Sequence, residues 1–289
     1  METGWKERAI QQENIKDEAE PARAAYERQM GLDQDSAILA YREKLRTEAA
    51  AIIQSKNLPD FGETRTWMND DLPEKNVENR LNPNLSILTW NIRNGIKAKE
   101  QTGYIKSIGT PDILCLQEVD IDCMRSGNKN IALEYAEALG YKYVAFTTAR
   151  VEIDEEDEKA HKAKFPNSRR EVDIGRGGGV IGQAILSKFP IESIGCIKLH
   201  KLWEDYENVT QIRARVQPTT GGRVAQKTKI KIGDRTVTVY NAHFDNVSSP
   251  TGRLIQYGQV AKDAENEENP TIIVGDFNTC GHGLGNWFS

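Results

Sequence analysis

The sequence predicts an α/β (α+β) fold: two β-sheets packed face to face, helices on their outer sides, and a helical extension in front. Three observations predict it. From Leu85 onward the chain breaks into short β-rich runs separated by turns. Helical stretches fall between these runs only loosely, whereas a doubly wound parallel sheet would alternate strand and helix strictly. Several runs end in polar residues, the kind a strand carries to the rim of a core.

Residues 1–80 are rich in Glu, Lys, Arg, Gln and Ala, with Ile38, Tyr41, Leu45, Ala49 and Ile52 spaced as on one helix face. They are expected to form a charged helical extension and linker, with residues 81–289 as the main domain. The plain reading of the extension is an amphipathic helix packed on that domain; the sharper one is an arm for a protein partner. The stretch from Pro59 to Pro83, broken by Pro59, Pro73 and Pro83, reads as the linker. Strands are then predicted at 86–90, 113–116, 141–146, 180–186, 211–216, 236–241 and 271–274, and helices at 129–139 and 253–264. The segment VEIDEEDEKAHKAKFPNSRR reads as a solvated surface insertion.

Composition narrows the function. With 38% hydrophobic residues, a chain of 289 residues can bury one large core. A net charge of -5 provides no global basic field for bulk nucleic acid, though a local basic patch stays open. Cys115, Cys123, Cys196 and Cys280 lack metal-ligand spacing and read as reduced thiols. The N-terminus METGWKERAI has no apolar h-region, and no apolar run reaches the length of a membrane span. The expectation is an intracellular protein, cytoplasmic or nuclear.

The chemistry lies at the strand ends. ILTWNIRNG carries Asn91, PDILCLQEVD carries Gln117 and Glu118, VYNAHFDN carries Asn241, His243 and Asp245, and IIVGDFNT carries Asp276 and Asn278. Hard divalent cations prefer carboxylate and water oxygens, so Glu118 with Asp276 suits Mg²⁺, while Asn91, Asn278 and His243 suit a phosphate. Taken singly, each is more often a solvated strand end or a satisfied structural residue. Gly177-Gly178-Gly179-Val180-Ile181-Gly182 formally matches a dinucleotide-binding pattern, yet it leads into a strand and not a helix, so it reads as a tight turn. His161 and His200 default to surface or structural roles, while Arg213 and Arg215, beyond the loop WEDYENVT, could meet phosphate or simply be the exposed face of an alternating strand.

Together and in this order, Trp90-Asn91, Gln117-Glu118, Asn241-Ala242-His243 and Gly275-Asp276-Phe277-Asn278 make the sequence resemble the endonuclease/exonuclease/phosphatase superfamily, the fold of pancreatic deoxyribonuclease and abasic-site endonucleases. The resemblance covers about Leu85 to Thr279. It implies a four-layer α-β-β-α sandwich of two mixed sheets. It also implies a hydrolase in which Glu118 ligates Mg²⁺, or Mn²⁺, with Asn91 in the same site. Asp276 would orient or deprotonate the attacking water beside Asn278, and His243 would hydrogen-bond a phosphate oxygen. The segment from His243 to Gln256 resembles the family's H-x-D…R…Q stretch, where Asp245, Arg253 and Gln256 organise loop and helix. The substrate would be a phosphate ester: nucleic acid, nucleotide, phosphoinositide or lipid.

The family pattern usually continues past GDFN with further elements, a later Asp and a Ser-Asp-His. The expectation is therefore a domain incomplete at its C-terminal side and impaired in activity, with His282 an improbable substitute for the closing histidine. The competing reading is a catalytically silent binding or scaffold protein carrying a remnant of the domain.

Overall fold

The computed structural model describes residues 4–13, 15, 36–73, 84–153, 177–200, 219–246 and 248–279. In chain order the elements are β1 (Trp5–Glu7), β2 (Gln11–Glu13), α1 (Ser36–Lys56), β3 (Thr64–Asn69), β4 (Ile87–Asn91), α2 (Ala98–Ile108), β5 (Ile113–Ile121) and α3 (Ile131–Leu139). There follow β6 (Tyr143–Glu152), β7 (Gly179–Ser187), β8 (Ile191–Lys198), β9 (Thr219–Gly221), β10 (Val224–Ile232), β11 (Arg235–His243), α4 (Pro250–Glu265) and β12 (Thr271–Asp276). Among the described residues no helix is long and apolar enough to cross a membrane.

The strands form two mixed sheets. The first has the order β1-β3-β6-β7-β5-β4, with β9 also on β6; the second has the order β12-β11-β10-β8-β2. Pairs β4–β5, β2–β8 and β11–β12 are parallel, and the other neighbours antiparallel. β5 and β7 read as nearly unbroken apolar runs because both of their faces are covered. Ile113, Cys115, Ala145 and Ile185 of the first sheet meet Ile194, Ile230 and Val239 of the second. On the opposite face of the first sheet, Leu45 and Ala49 of α1, Ile105 of α2, and Tyr135 and Ala136 of α3 pack with Leu114, Leu116, Phe146 and Leu186. Val260 of α4 packs on Tyr240 and Ala242 of the second sheet and on Phe244 just after β11. The molecule is thus the predicted four-layer sandwich.

Local signals explain the two helices predicted after Leu85. The Asn130 side chain accepts from the Leu133 N–H at the start of α3, and Gly140 ends it in a left-handed turn. Ser249 caps α4 in the same way, with Pro250 in its first turn. Six of the seven predicted strands are present, most of them longer than predicted; the one at 211–216 lies outside the described residues.

Other elements were not predicted. β3 occupies part of the stretch read as linker, where Thr64–Asn69 pairs with β6. β10 carries Lys227, Lys229 and Lys231 in alternation, a polar pattern that hides a strand. Its Lys227 is buried under α4, where it meets Glu13 at 2.9 Å, Asp263 at 2.8 Å and Glu267 at 2.5 Å. β8, β9 and α2 also lie outside the predicted spans. Finally, β1 pairs with β3 at the edge of the first sheet, and β2 pairs with β8 at the edge of the second. The short segment from Trp5 to Glu13 therefore joins both sheets.

Candidate active site

The polar strand ends converge because of two parallel registers. β4 and β5 place Asn91 beside Gln117, and β11 and β12 place His243 beside Asp276. Against β7, the register of β5 slips between Leu116 and Val119, so Gln117 and Glu118 stand opposite the single position of Gln183. Such a bulge re-aims a side chain, and Glu118 sits in it with a φ of 56°. In β12, Gly275 has a φ of 143°, and a Cβ there would lie 1.9 Å from the Ala242 carbonyl oxygen. Only glycine permits this close approach one residue before Asp276.

A buried amide pair fixes the sheets against each other beneath the site. Gln117 Nε2 donates to Asn241 Oδ1 at 2.6 Å, and Asn241 Nδ2 donates to the carbonyls of Leu116 at 2.9 Å and Ala184 at 3.0 Å. Above it, Asn91 Nδ2 donates to Glu118 Oε1 at 3.0 Å and to Asp276 Oδ2 at 2.8 Å. Its Oδ1 accepts from the Arg93 N–H at 3.0 Å, which sets the direction of the amide. Asn91, Glu118 and Asp276 are all half-buried, so their polar faces reach solvent.

His243 is buried beside them, its Nε2 3.7 Å from Asp276 Oδ2. Nη1 of Arg223 lies 3.0 Å from both ring nitrogens. A guanidinium only donates, so one ring nitrogen keeps its lone pair towards it. Burial, then the charges of Arg223 and Arg150, hold the His243 pKa well below the ordinary imidazole value, and the ring is neutral at neutral pH. Asn278 donates its N–H to Asp276 Oδ1 at 3.0 Å and its Nδ2 to the Phe244 carbonyl at 2.9 Å. It pins the turn after β12, with Phe277 stacked on Phe244. One of its two amide protons remains for another acceptor.

The structure therefore brings Asn91, Glu118, His243, Asp276 and Asn278 together. Nearby, Gln256 accepts from the Asp245 N–H at 2.9 Å and Arg253 donates to the Ser248 carbonyl, so these side chains brace the loop before α4. His161, Arg213, Arg215, Cys280 and His282 lie outside the described residues. Sequence reasoning missed Arg223, an ordinary-looking arginine at the start of a strand it had not predicted. It also missed the support behind the turn that follows Asn91. There Asn94 donates to Asp120 at 3.1 Å, and Arg125 binds Asp120 at 2.7 and 2.8 Å and Glu152 at 3.1 Å. Burial raises the Asp120 carboxyl above its usual pKa even against the Arg125 charge.

Among the described residues no group of three or more His, Cys, Asp and Glu side chains gathers to hold a metal. Glu118 and Asp276 nevertheless face one shared donor, the Asn91 amide. Two carboxylates converging on one point suit a small hard cation, which takes one or two carboxylates and fills its other positions with water and phosphate oxygens. Asn91 adds an oxygen to that set once its amide turns over, at the expense of the Arg93 bond. The donor set fits a divalent ion.

Comparison with known proteins places this site in context. A family model described as Endonuclease/Exonuclease/phosphatase family matches residues 88–289. No curated protein matches the chain. Among solved structures, TDP2 from Caenorhabditis elegans is 20% identical over 68% of this chain and 48% of its own, with a TM-score of 0.39. The human Nocturnin catalytic domain with bound sulfate is 19% identical over 68% and 64%, with a TM-score of 0.43. TDP2 from D. rerio, complexed with a single-strand DNA product, is 17% identical over 69% and 62%, with a TM-score of 0.39. The chain spans about half to two thirds of the length of these proteins. The family match covers well over half of the chain and all five gathered residues, and the chain belongs to the endonuclease/exonuclease/phosphatase family.

Proposed function

We propose that the chain is a divalent-metal-dependent phosphoesterase that hydrolyses a phosphodiester or phosphomonoester with an activated water. One observation carries the reading: Asn91, from one sheet, bridges Glu118 of that sheet and Asp276 of the other through a single amide nitrogen. Asn241 Nδ2 likewise bonds two acceptors, but these are neutral carbonyls, whereas both acceptors of Asn91 are carboxylates. Two carboxylates held open to solvent around one donor make a site for positive charge.

Glu118 and Asp276 would hold the ion, with Asn91 beside them. Such an ion supplies charge neutralisation at the phosphate oxygens and a more acidic water. Asp276 orients the attacking water and takes its proton as the water oxygen bonds to phosphorus and the phosphorus–oxygen bond to the leaving group breaks. The leaving oxygen collects a proton from solvent at the open mouth of the site. His243 is neutral and so presents an N–H to a phosphate oxygen without carrying charge of its own, and Asn278 adds an amide proton. Arg223, 3.0 Å from both ring nitrogens, holds the imidazole in place. With a net charge of -5, the chain offers no broad field for bulk nucleic acid, so recognition rests on contacts at the cleft.

The test is calorimetric titration of Mg²⁺ and Mn²⁺ into the full chain and into Glu118→Ala, with hydrolysis of bis-p-nitrophenyl and p-nitrophenyl phosphate measured in parallel. Metal binding that disappears in Glu118→Ala, with metal-dependent turnover, is the expected result. A folded chain that binds neither ion overturns the reading and leaves a binding or scaffold role in its place.

A further inference from the structure

The apolar core between the sheets gives way, towards the site, to a polar layer. Residues facing the opposite sheet alternate along each strand: Tyr143, Ala145 and Thr147 on β6, Ile185 and Gln183 on β7, and Ile230, Thr228 and Gln226 on β10. Thr147 and Gln183 are cross-strand neighbours in the first sheet, and Gln226 is the cross-strand neighbour of Asn241 in the second. The two groups face each other. Gln183 Nε2 crosses between the sheets to the Val224 carbonyl at 3.0 Å, one position along the same face from Gln226.

All four side chains are 0–1% exposed. Five of their polar atoms have no hydrogen-bond partner among the described residues: Thr147 Oγ1, Gln183 Oε1, Gln226 Nε2, Gln226 Oε1 and Thr228 Oγ1. Buried polar groups without partners are rare, because each loses its hydration and gains nothing, and five together would consume a large share of a domain's stability.

We infer that the layer around Thr147, Gln183, Gln226 and Thr228 is a site for a small cluster of ordered water molecules enclosed between the two sheets. The chemistry selects water over an ion. None of the four side chains is charged, and together they offer both donors and acceptors, which a cation or an anion would leave half used. A buried water makes about three hydrogen bonds, so about two molecules suffice for the five atoms. The cluster adjoins the Gln117–Asn241 pair, and those two residues lie next to Glu118 and two positions before His243. Water here is enclosed by both sheets, so it leaves only when they part. This inference goes beyond the phosphoesterase reading and stands or falls without it.

The experiment is a crystal structure of the full chain at a resolution that shows water, together with oxygen-17 magnetic relaxation dispersion to count long-lived internal water in solution. The expected result is density for water bonded to Gln226 and Thr228, and a loss of about two long-lived waters in Gln226→Leu/Thr228→Val. If that variant does not fold, Thr147→Val reads the same loss from the other sheet. Density in which Gln183 and Gln226 turn to pair directly, an ion or organic molecule in the layer, or an unchanged water count in a folded variant overturns the inference. Hydrolysis is not the readout, so an inactive chain leaves the result intact.

Discussion

Asn91 joins the site through one amide, and Asp276 and Asn241 show how differently two neighbouring residues can depend on that arrangement. Asp276 is half-buried and accepts from Asn91 on one oxygen and from the Asn278 N–H on the other, so Asp276→Asn keeps the shape but loses the base and one of these two bonds. Turnover is expected to fall about 10²- to 10⁴-fold with little change in melting temperature, measured by phosphodiester hydrolysis and thermal unfolding side by side. Asn241, in the second sheet, is fully buried and bonds across to the first, so Asn241→Leu takes one acceptor from Gln117 and the side-chain donor from two carbonyls. Its expected cost is at least ~1–3 kcal/mol in urea unfolding, and this loss precedes any loss of activity. The positions of both were legible in the sequence, because a polar residue closing an apolar strand stands out. Arg223 was not legible: its partner is a histidine 20 positions away, and only the pairing of β10 with β11 brings the two together.

Among the elements, β10 has a sequence that hides its structure. Lys227 makes a strand look like a solvated segment, and its three carboxylate partners come from β2, α4 and the turn after α4, far from it in the chain. Burial works against the Lys227 charge, but its bonds to Asp263, Glu267 and Glu13 outweigh it and raise the pKa above the ordinary lysine value. Burial pushes Glu13 and Glu267 up, and the two lysines more than reverse it, so both end below the ordinary carboxylate value. The sign follows. The carboxylates stabilise the fold above about pH 4.3 and lose that contribution as pH falls through their depressed values. Lys227 contributes below about pH 10.4 and loses it as pH rises through its elevated value. Urea unfolding across pH should show a plateau between these limits; Lys227→Met lowers it by about 3 kcal/mol at pH 7 and removes the alkaline fall that Lys227 causes. By contrast, α3 and α4 were readable because their caps sit within a few residues of their own helices. β1 and β2 were not, since WKE and QQE become strands only through the edges they meet.

At the scale of the whole molecule, the class of fold was legible and its wiring was not. Short apolar runs with polar ends announce a covered sandwich, yet nothing local says that β7 lies between β5 and β6, or that β12 joins β11 in parallel. Since Glu118 and Asp276 come from different sheets, an ion held between them links the two halves. Mg²⁺ at 100 times its dissociation constant should raise unfolding stability by about 2.7 kcal/mol, a gain absent in Glu118→Ala and read from unfolding with and without the ion. The segment from Trp5 to Glu13 has a different consequence, one of timing. Glu13 meets Ser193, 180 positions later in the chain. At synthesis rates of roughly 5–20 residues per second, β2 leaves the ribosome roughly 10 to 40 seconds before the strand it pairs with exists. During that interval it waits as an unpaired β-segment for a chaperone or a protease to find, and it can pair only after β3 to β7 have been made.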